Sequence, residues 1–304
     1  MSLIEQYSSF SSNPPLLLLL GGNGQLGQAL CQLIDKRVLL LPERADVVLQ
    51  HPETLTDLVT RLRPAVIINA TAYTQVDRAE TEPDVANSIN QQAVAVLADA
   101  ATRAGALLVH FSTDYVFDGS GDRPWREEDK PAPLNVYGLS KLQGERAILT
   151  SGCHHLILRT SWLHSPWRQN FIKTMLCLGQ ERESLFVVCD QIGAPTSATM
   201  LAKVTLEAIQ QTLANPALCG LYHVTADGEV SWFDYARFIF AEARRLGSEF
   251  KLSELKPVQS NVYPVAARRP LNSRLDTAKC RAAFGIDLPD WRNGVRETLW
   301  QLIK

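Results

Sequence analysis

Two stretches of the chain carry residue types that could deliver a proton to a carbonyl oxygen. Tyr137 and Lys141 stand four places apart in LNVYGLSK, and Ser112 and Thr113 close the apolar run LLVHFS. On a helix, positions i and i+4 share a face. A tyrosine is a poor acid near neutral pH because its pKa is about 10, and a neighbouring lysine charge favours the phenolate and lowers that value. A hydroxyl such as that of Thr113 can donate to the same substrate oxygen, polarising the carbonyl as charge builds on it. YxxxK alone occurs by chance on solvated helix faces. Its weight here comes from its place after a hydroxyl pair and, earlier still, a glycine turn.

That turn lies in LLLLLGGNGQLGQAL, where Gly21, Gly24 and Gly27 are spaced GxxGxxG. A tight turn, a backbone that touches a pyrophosphate and a helix packed closely on its strand each exclude a Cβ. A glycine trio after a first strand and at the start of a first helix therefore reads as a dinucleotide site, and carbonyl reduction needs the hydride of NADPH or NADH. The next apolar run ends LLLPERAD. Glu43 or Asp46 could take a ribose hydroxyl and Arg44 a 2′-phosphate, so both cofactors stay open, with Arg44 leaning to NADPH.

These groups need a scaffold. Short continuous apolar runs are what parallel strands covered on both faces look like. The runs are LLLLL (16–20), RVLLL (37–41), AVIINA (65–70), LLVHFS (107–112) and LILRTS (156–161), separated by helical patterns that stop at Gly105 and Gly152. Such alternation predicts an α/β fold, a doubly wound parallel Rossmann-type sheet with right-handed crossovers. Thr113 then lies at the carboxyl end of the fourth strand, the edge where open α/β sheets bind ligands. Beyond about 165 the pattern becomes mixed, which predicts a smaller C-terminal α/β substrate lobe. The expected division is a flexible leader at 1–15, a dinucleotide-binding part at 16–165, and a lobe mainly at 166–304 with some segments returning to the first part.

Composition narrows the partners. Lys plus Arg number 30 against 32 Asp plus Glu, which gives no general attraction to nucleic acid or an anionic membrane. LLLLL is far too short to span a bilayer and lacks the flanks of a secretion signal. Six cysteines are scattered without metal-ligand spacing, and the adjacent His154 and His155 point apart in a strand, so no metal site is expected and free thiols in a cytoplasm are. The partner class is a small molecule.

Several motifs together, NATAYTQVDRAE, STDYVFDG, PLNVYGLSKLQGE, RTSWLH, DQIGAPT, GLYHV and ARRPLNSRLD, resemble the dTDP-4-dehydrorhamnose reductases, extended short-chain reductases of nucleotide-sugar metabolism. The likeness runs from about residue 16 to the C-terminus. It implies reduction by NADPH or NADH of the 4-keto group of a dTDP-sugar. It makes Tyr137 the proton donor, Lys141 its tuning partner and nicotinamide-ribose ligand, and Thr113 the polarising hydroxyl. Gly24, Gln25 and Leu26 would face the pyrophosphate, with Ala72, Tyr73 and Thr74 lining the cofactor. Thr113, Asp114 and Trp162 would touch the sugar. Arg268 and Arg269 have the fork geometry to grip a diphosphate and could equally pair with carboxylates between the lobes. In some relatives acids support a magnesium-linked dimer; here those positions are Ala29 and Thr199, so a monomer or weak homodimer is expected. Val48 and Leu49 also replace an acid-containing pair. Similar chains serve as a regulatory subunit of methionine adenosyltransferase, or reduce or epimerise other nucleotide sugars, and these are the alternatives to test.

Overall fold

The computed structural model describes residues 15–43, 49, 52–262 and 265–304. Residues 1–14 of the expected leader, Arg44, Asp46 and Val48 lie outside the described residues.

The apolar runs become parallel strands β1 (Leu17–Leu20), β2 (Leu39–Leu40), β3 (Val66–Asn69), β4 (Leu107–Thr113) and β5 (His155–Thr160). Helices α1 (Gln25–Leu33) and α2 (Glu53–Leu62) make the first two crossovers. The third runs through short helices α3 (Val76–Ala79) and α4 (Pro83–Asn87), a π turn at Ser88–Gln92, and α5 (Ala93–Ala104); the fourth uses α6 (Val136–Ser151). Then come β6 (Leu163–His164), α7 (Phe171–Glu181), β7 (Ser184–Val188), β8 (Ile192–Gly193), β9 (Thr196–Ser197) and α8 (Ala198–Ala214). The chain ends with β10 (Gly220–His223), β11 (Val230–Ser231), α9 (Trp232–Arg245), β12 (Glu254–Val258), α10 (Ala278–Phe284) and α11 (Trp291–Ile303).

The central sheet has the order β10-β5-β4-β3-β1-β2, with every neighbouring pair parallel. From β1 the chain moves outward to β2, then crosses to β3 on the other side. That reversal opens a crevice beyond the carboxyl ends of β1 and β3. Alternate side chains of each strand enter opposite layers. Leu17, Leu19, Val66 and Ile68 pack with α1, α8 and α10, while Leu18, Leu20 and Ile67 pack with α2 and α5. Each fully buried leucine stabilises the fold by roughly 1.5–3 kcal/mol, so the buried leucines Leu17–Leu20 suit a strand covered on both faces, with Leu16 exposed just before it.

A separate core forms in the later half. Ile172 and Met175 of α7, Leu185 of β7, Tyr235 and Ile239 of α9, and Trp291 and Val295 of α11 pack together. Helix starts are chemically marked: the side chains of Asn135, Asn170, Ser197 and Ser231 accept first-turn N–H bonds in α6, α7, α8 and α9. The first of these caps sets the position of Tyr137.

Candidate active site

Strand β4 ends on Thr113, whose hydroxyl donates to Asp114 Oδ1 at 3.1 Å and accepts the Tyr115 N–H at 3.2 Å. Helix α6 arrives beside it because Asn135 Oδ1 accepts the Gly138 N–H at 2.8 Å, which starts the helix one residue before Tyr137. The glycine after that tyrosine has a steric reason: a Cβ at Gly138 would lie 2.2 Å from the Tyr115 carbonyl oxygen. With that close approach Tyr115 and Tyr137 meet edge to face at 5.7 Å, and the Tyr137 phenol hydrogen-bonds with Thr113. Ser112, the other hydroxyl of the pair, is buried without a partner.

Burial pushes the Tyr137 phenol up to about 12, against the lowering effect of its Thr113 hydrogen bond. The same burial pulls Lys141 down to about 8, opposed by the Glu145 carboxylate one turn further on. The lysine amine donates to the Phe111 carbonyl at 2.6 Å and lies 3.1 Å from His110 Nε2. Thus the tyrosine and lysine share a helix face, yet the phenol stands above its ordinary value and the amine below its own. Burial pushes Asp114 up as well, to about 7, against the lowering effect of the Ser273 and Thr113 hydroxyls. The result is a file of exchangeable protons, Tyr137, Thr113 and Asp114, at the carboxyl edge of the sheet.

The glycine turn follows β1. Gly21 has φ +84°, and a Cβ on Gly27 would fall 2.1 Å from the Gly21 carbonyl oxygen. Only glycine permits that turn to close against the first turn of α1. Gly21, Gly24, Leu41, Thr71 and Arg168 line a cavity of about 600 Å³. A cradle that added Cβ atoms would close, at a helix N-terminus, fits a nicotinamide dinucleotide. Leu26 is a core residue, so its side chain packs inward and only its backbone faces the turn. The Gln25 side-chain oxygen Oε1 accepts from Ser165 at 2.9 Å and from Asn170 at 3.0 Å, tying the turn to a loop of the later half. After β3, Ala72, Tyr73 and Thr74 are at least partly exposed. Tyr73 is held by its phenol to Glu82 (2.7 Å) and by its N–H to Asn90 Oδ1 (2.9 Å).

A second cavity, of about 540 Å³, opens beside Tyr115 and is lined by Phe171, Gln191, Trp232 and Arg269 among others. Arg269 grips Asp77 through both guanidinium nitrogens, at 2.6 and 3.1 Å, while Arg268 is exposed. Trp162 has φ +47° and stacks on Trp232 with ring centroids 3.6 Å apart, and of this pair it is Trp232 that lines the cavity.

Residue patterns alone did not single out Tyr115, Trp232, Asn90, His110 or Arg168. Tyr115 was visible beside Asp114 in STDYVF, and the Asn135 cap in LNVYG. Asn90 gave no signal, because it reaches Tyr73 only through the π turn that interrupts its helix. Arg168 sits at φ +53°, a conformation rare for a side-chain-bearing residue, and its Nε donates to the Asn23 carbonyl at 2.7 Å.

Among the described residues no group of three or more His, Cys, Asp and Glu is arranged to hold a metal ion, and no helix is long and apolar enough to cross a membrane. A family model described as the RmlD substrate binding domain matches residues 16–304. The dTDP-4-dehydrorhamnose reductase of Shigella flexneri is 45% identical over 291 residues, covering 94% of this chain and 97% of that protein. The protein of the same name from Escherichia coli K12 is 49% identical over 252 residues, covering 83% and 84%. A crystal structure of dTDP-4-dehydrorhamnose reductase from Bacillus anthracis in complex with NADP superposes with a TM-score of 0.86 at 34% identity, covering 94% of this chain and 99% of that one.

Proposed function

The chain belongs to the RmlD substrate binding domain family, and from that premise we propose that it reduces the 4-keto group of dTDP-4-dehydro-β-L-rhamnose to dTDP-β-L-rhamnose with NADPH or NADH. The observation that carries this reading is the meeting of Thr113, Tyr137 and Lys141 at the carboxyl edge of β4, in a chain so similar to reductases of that substrate. The bound nicotinamide supplies the hydride.

The protein's own groups do the rest. Gly21, Gly24 and Gly27 let backbone N–H groups of the turn, including those of Gln25 and Leu26, approach the cofactor diphosphate at the N-terminus of α1. Ala72, Tyr73 and Thr74 form the wall beyond β3. Arg168, anchored on the Asn23 carbonyl, adds a positive charge at the mouth of the same cavity. Tyr137 gives its proton to the sugar oxygen; burial keeps the phenol protonated until that oxygen becomes basic. The Thr113 hydroxyl turns from Asp114 to polarise the carbonyl, and Asp114 offers its unpartnered oxygen to a sugar hydroxyl. Lys141 stabilises the phenolate left behind and holds the nicotinamide ribose. Trp162 supports the aromatic wall against the sugar, and Arg268 or Arg269 meets the dTDP diphosphate, Arg269 by sharing itself with Asp77.

This division assigns the cofactor to 16–165 and the substrate mainly to 166–304, with β10 and α8 returning to the first sheet. We place the protein in the cytoplasm as a monomer or weak homodimer; its six unpaired cysteines suit a reducing compartment. Purified protein with the verified 4-keto dTDP-sugar should consume NADPH or NADH. Tyr137→Phe should lose about 10²–10⁴ of the rate while retaining cofactor. Wild-type inactivity with both cofactors would overturn the reading.

A further inference from the structure

His110 is buried three residues before Thr113 and has no part in the chemistry above. Its Nε2 lies 3.1 Å from Lys141 Nζ, and its Nδ1 lies 3.2 Å from Asn69 Nδ2. The Asn69 amide is oriented from its far side. Its Oδ1 accepts the Thr71 N–H at 3.2 Å and the Thr71 hydroxyl hydrogen at 2.5 Å. A backbone N–H only donates, so the amide oxygen must face Thr71 and the amide nitrogen must face the ring. An amide nitrogen also only donates. His110 Nδ1 is therefore the acceptor, and the proton of the neutral ring sits on Nε2.

That proton points at Lys141. An Nε2–H group bonds to Nζ only if the amine offers a lone pair, which an ammonium lacks. A charged Lys141 meets either donor against donor at His110, or a ring proton moved to Nδ1 against the Asn69 amide. A polar group left without its partner in a buried site is destabilising, because it has given up water for nothing. We propose that Thr71, Asn69 and His110 form a tautomer lock that biases Lys141 toward its neutral amine, making His110 a positioning residue for the Lys141 proton. The inference rests on the reductase reading for its consequence, though not for its geometry.

The lock works against identifiable groups. The Phe111 carbonyl accepts from Nζ at 2.6 Å, and the Glu145 carboxylate on the same helix favours the ammonium. Across from Glu145, Arg159 on β5 pairs with it at 2.6 Å, and His223 on β10 touches that arginine at 3.4 Å. Around Tyr137 the titratable neighbours are Tyr115 and Asp114. Burial first, and the Lys141 ammonium whenever it forms, keep the His110 ring neutral, so the ring cannot take up the proton itself. With the lock intact, Lys141 gives up its proton at lower pH than burial alone would dictate.

Two readouts test this on the full chain. Nitrogen-15 shifts of His110 in the wild type should report the Nε2–H tautomer at alkaline pH. In Asn69→Asp the carboxylate only accepts, drawing the ring proton to Nδ1 and freeing Nε2 to accept from an ammonium. In His110→Gln the side-chain amide can turn its oxygen to Nζ. In both variants the alkaline limb of the kcat profile should move up by about one pH unit, a tenfold gain in proton affinity. A merely structural histidine would lower kcat or melting temperature without moving that limb. An Nδ1–H tautomer in the wild type, or an unmoved limb in folded His110→Gln, overturns the proposal. Should the wild type fail to turn over, the reductase reading falls and the ring tautomer still decides the lock.

Discussion

Lys141→Met exchanges a buried ammonium for an uncharged side chain of similar length. Lys141 is 2% exposed, and burial moves its pKa from 10.5 to about 8. At pH 7 the folded chain therefore holds a charge whose desolvation costs about 3 kcal/mol, taking about 1.36 kcal/mol per pH unit. The substitution removes that cost and forfeits the bonds to Phe111 and His110, about 1–2 kcal/mol together. A net gain of roughly 1–2 kcal/mol is expected at pH 7, in a protein that no longer reduces its substrate. The pH dependence gives the sharper signature. Because the folded pKa is depressed, the unfolded chain binds more protons between about 8 and 10.5, and wild-type stability rises with pH through that window. The variant lacks the rise, so its advantage should shrink and then reverse. Urea unfolding of both proteins at a series of pH values measures the difference directly, since other titrating groups cancel. A difference that stays flat from neutral to alkaline pH would refute the argument, whatever its sign.

Two further substitutions probe the scaffold and the cofactor end. Glu145→Gln removes one side of an ion pair in which Glu145 is 1% and Arg159 3% exposed, leaving an uncompensated buried charge. It should cost about 3–5 kcal/mol by urea unfolding, and replacing both partners by apolar residues should restore most of that loss. Arg168→Gln keeps length and polarity without charge. It should weaken cofactor binding about three- to thirtyfold, an effect that added salt reduces, and leave kcat at saturation unchanged. A larger loss for NADPH than for NADH would locate the guanidinium at the 2′-phosphate, and equal losses at the diphosphate.

What could be read from residues was what local sterics and burial dictate. Five apolar runs were visible as strands, and the four that are covered on both faces match β1, β3, β4 and β5 to within a residue or two. The second run contracts to the two half-buried residues Leu39 and Leu40, at the edge of the sheet beside β1. Gly21 and Gly27 could be read because nothing but glycine tolerates those contacts. Trp162 could be placed at the end of β5, but not its stacking partner, which arrives from a helix seventy residues later. The same limit hid Asp77 as the partner of Arg269: the two are joined by the meeting of α3 with a distant loop. His110 looked like an ordinary strand residue because its importance depends on which atoms of Asn69 and Lys141 face it.

The contacts between the two halves suggest why such a site needs both. Gln25 opens α1 at the cofactor turn, and its side-chain oxygen is held by Ser165 and Asn170. Asn135, which starts the helix carrying Tyr137, donates its amide to the Arg268 carbonyl at 2.7 Å. Asp77, just beyond β3, binds both Arg269 and the Ala267 N–H. Each tie fastens a residue at the edge of the first sheet to the segment expected to touch the sugar nucleotide. None of the three is an apolar contact that could slide; each has a direction and a fixed partner. A ligand that took Arg269 would have to compete with Asp77, next to the Arg268 carbonyl that accepts from Asn135 at the start of α6. Through Asn135 the loop that carries Arg268 and Arg269 is tied to the first turn of the helix that carries Tyr137.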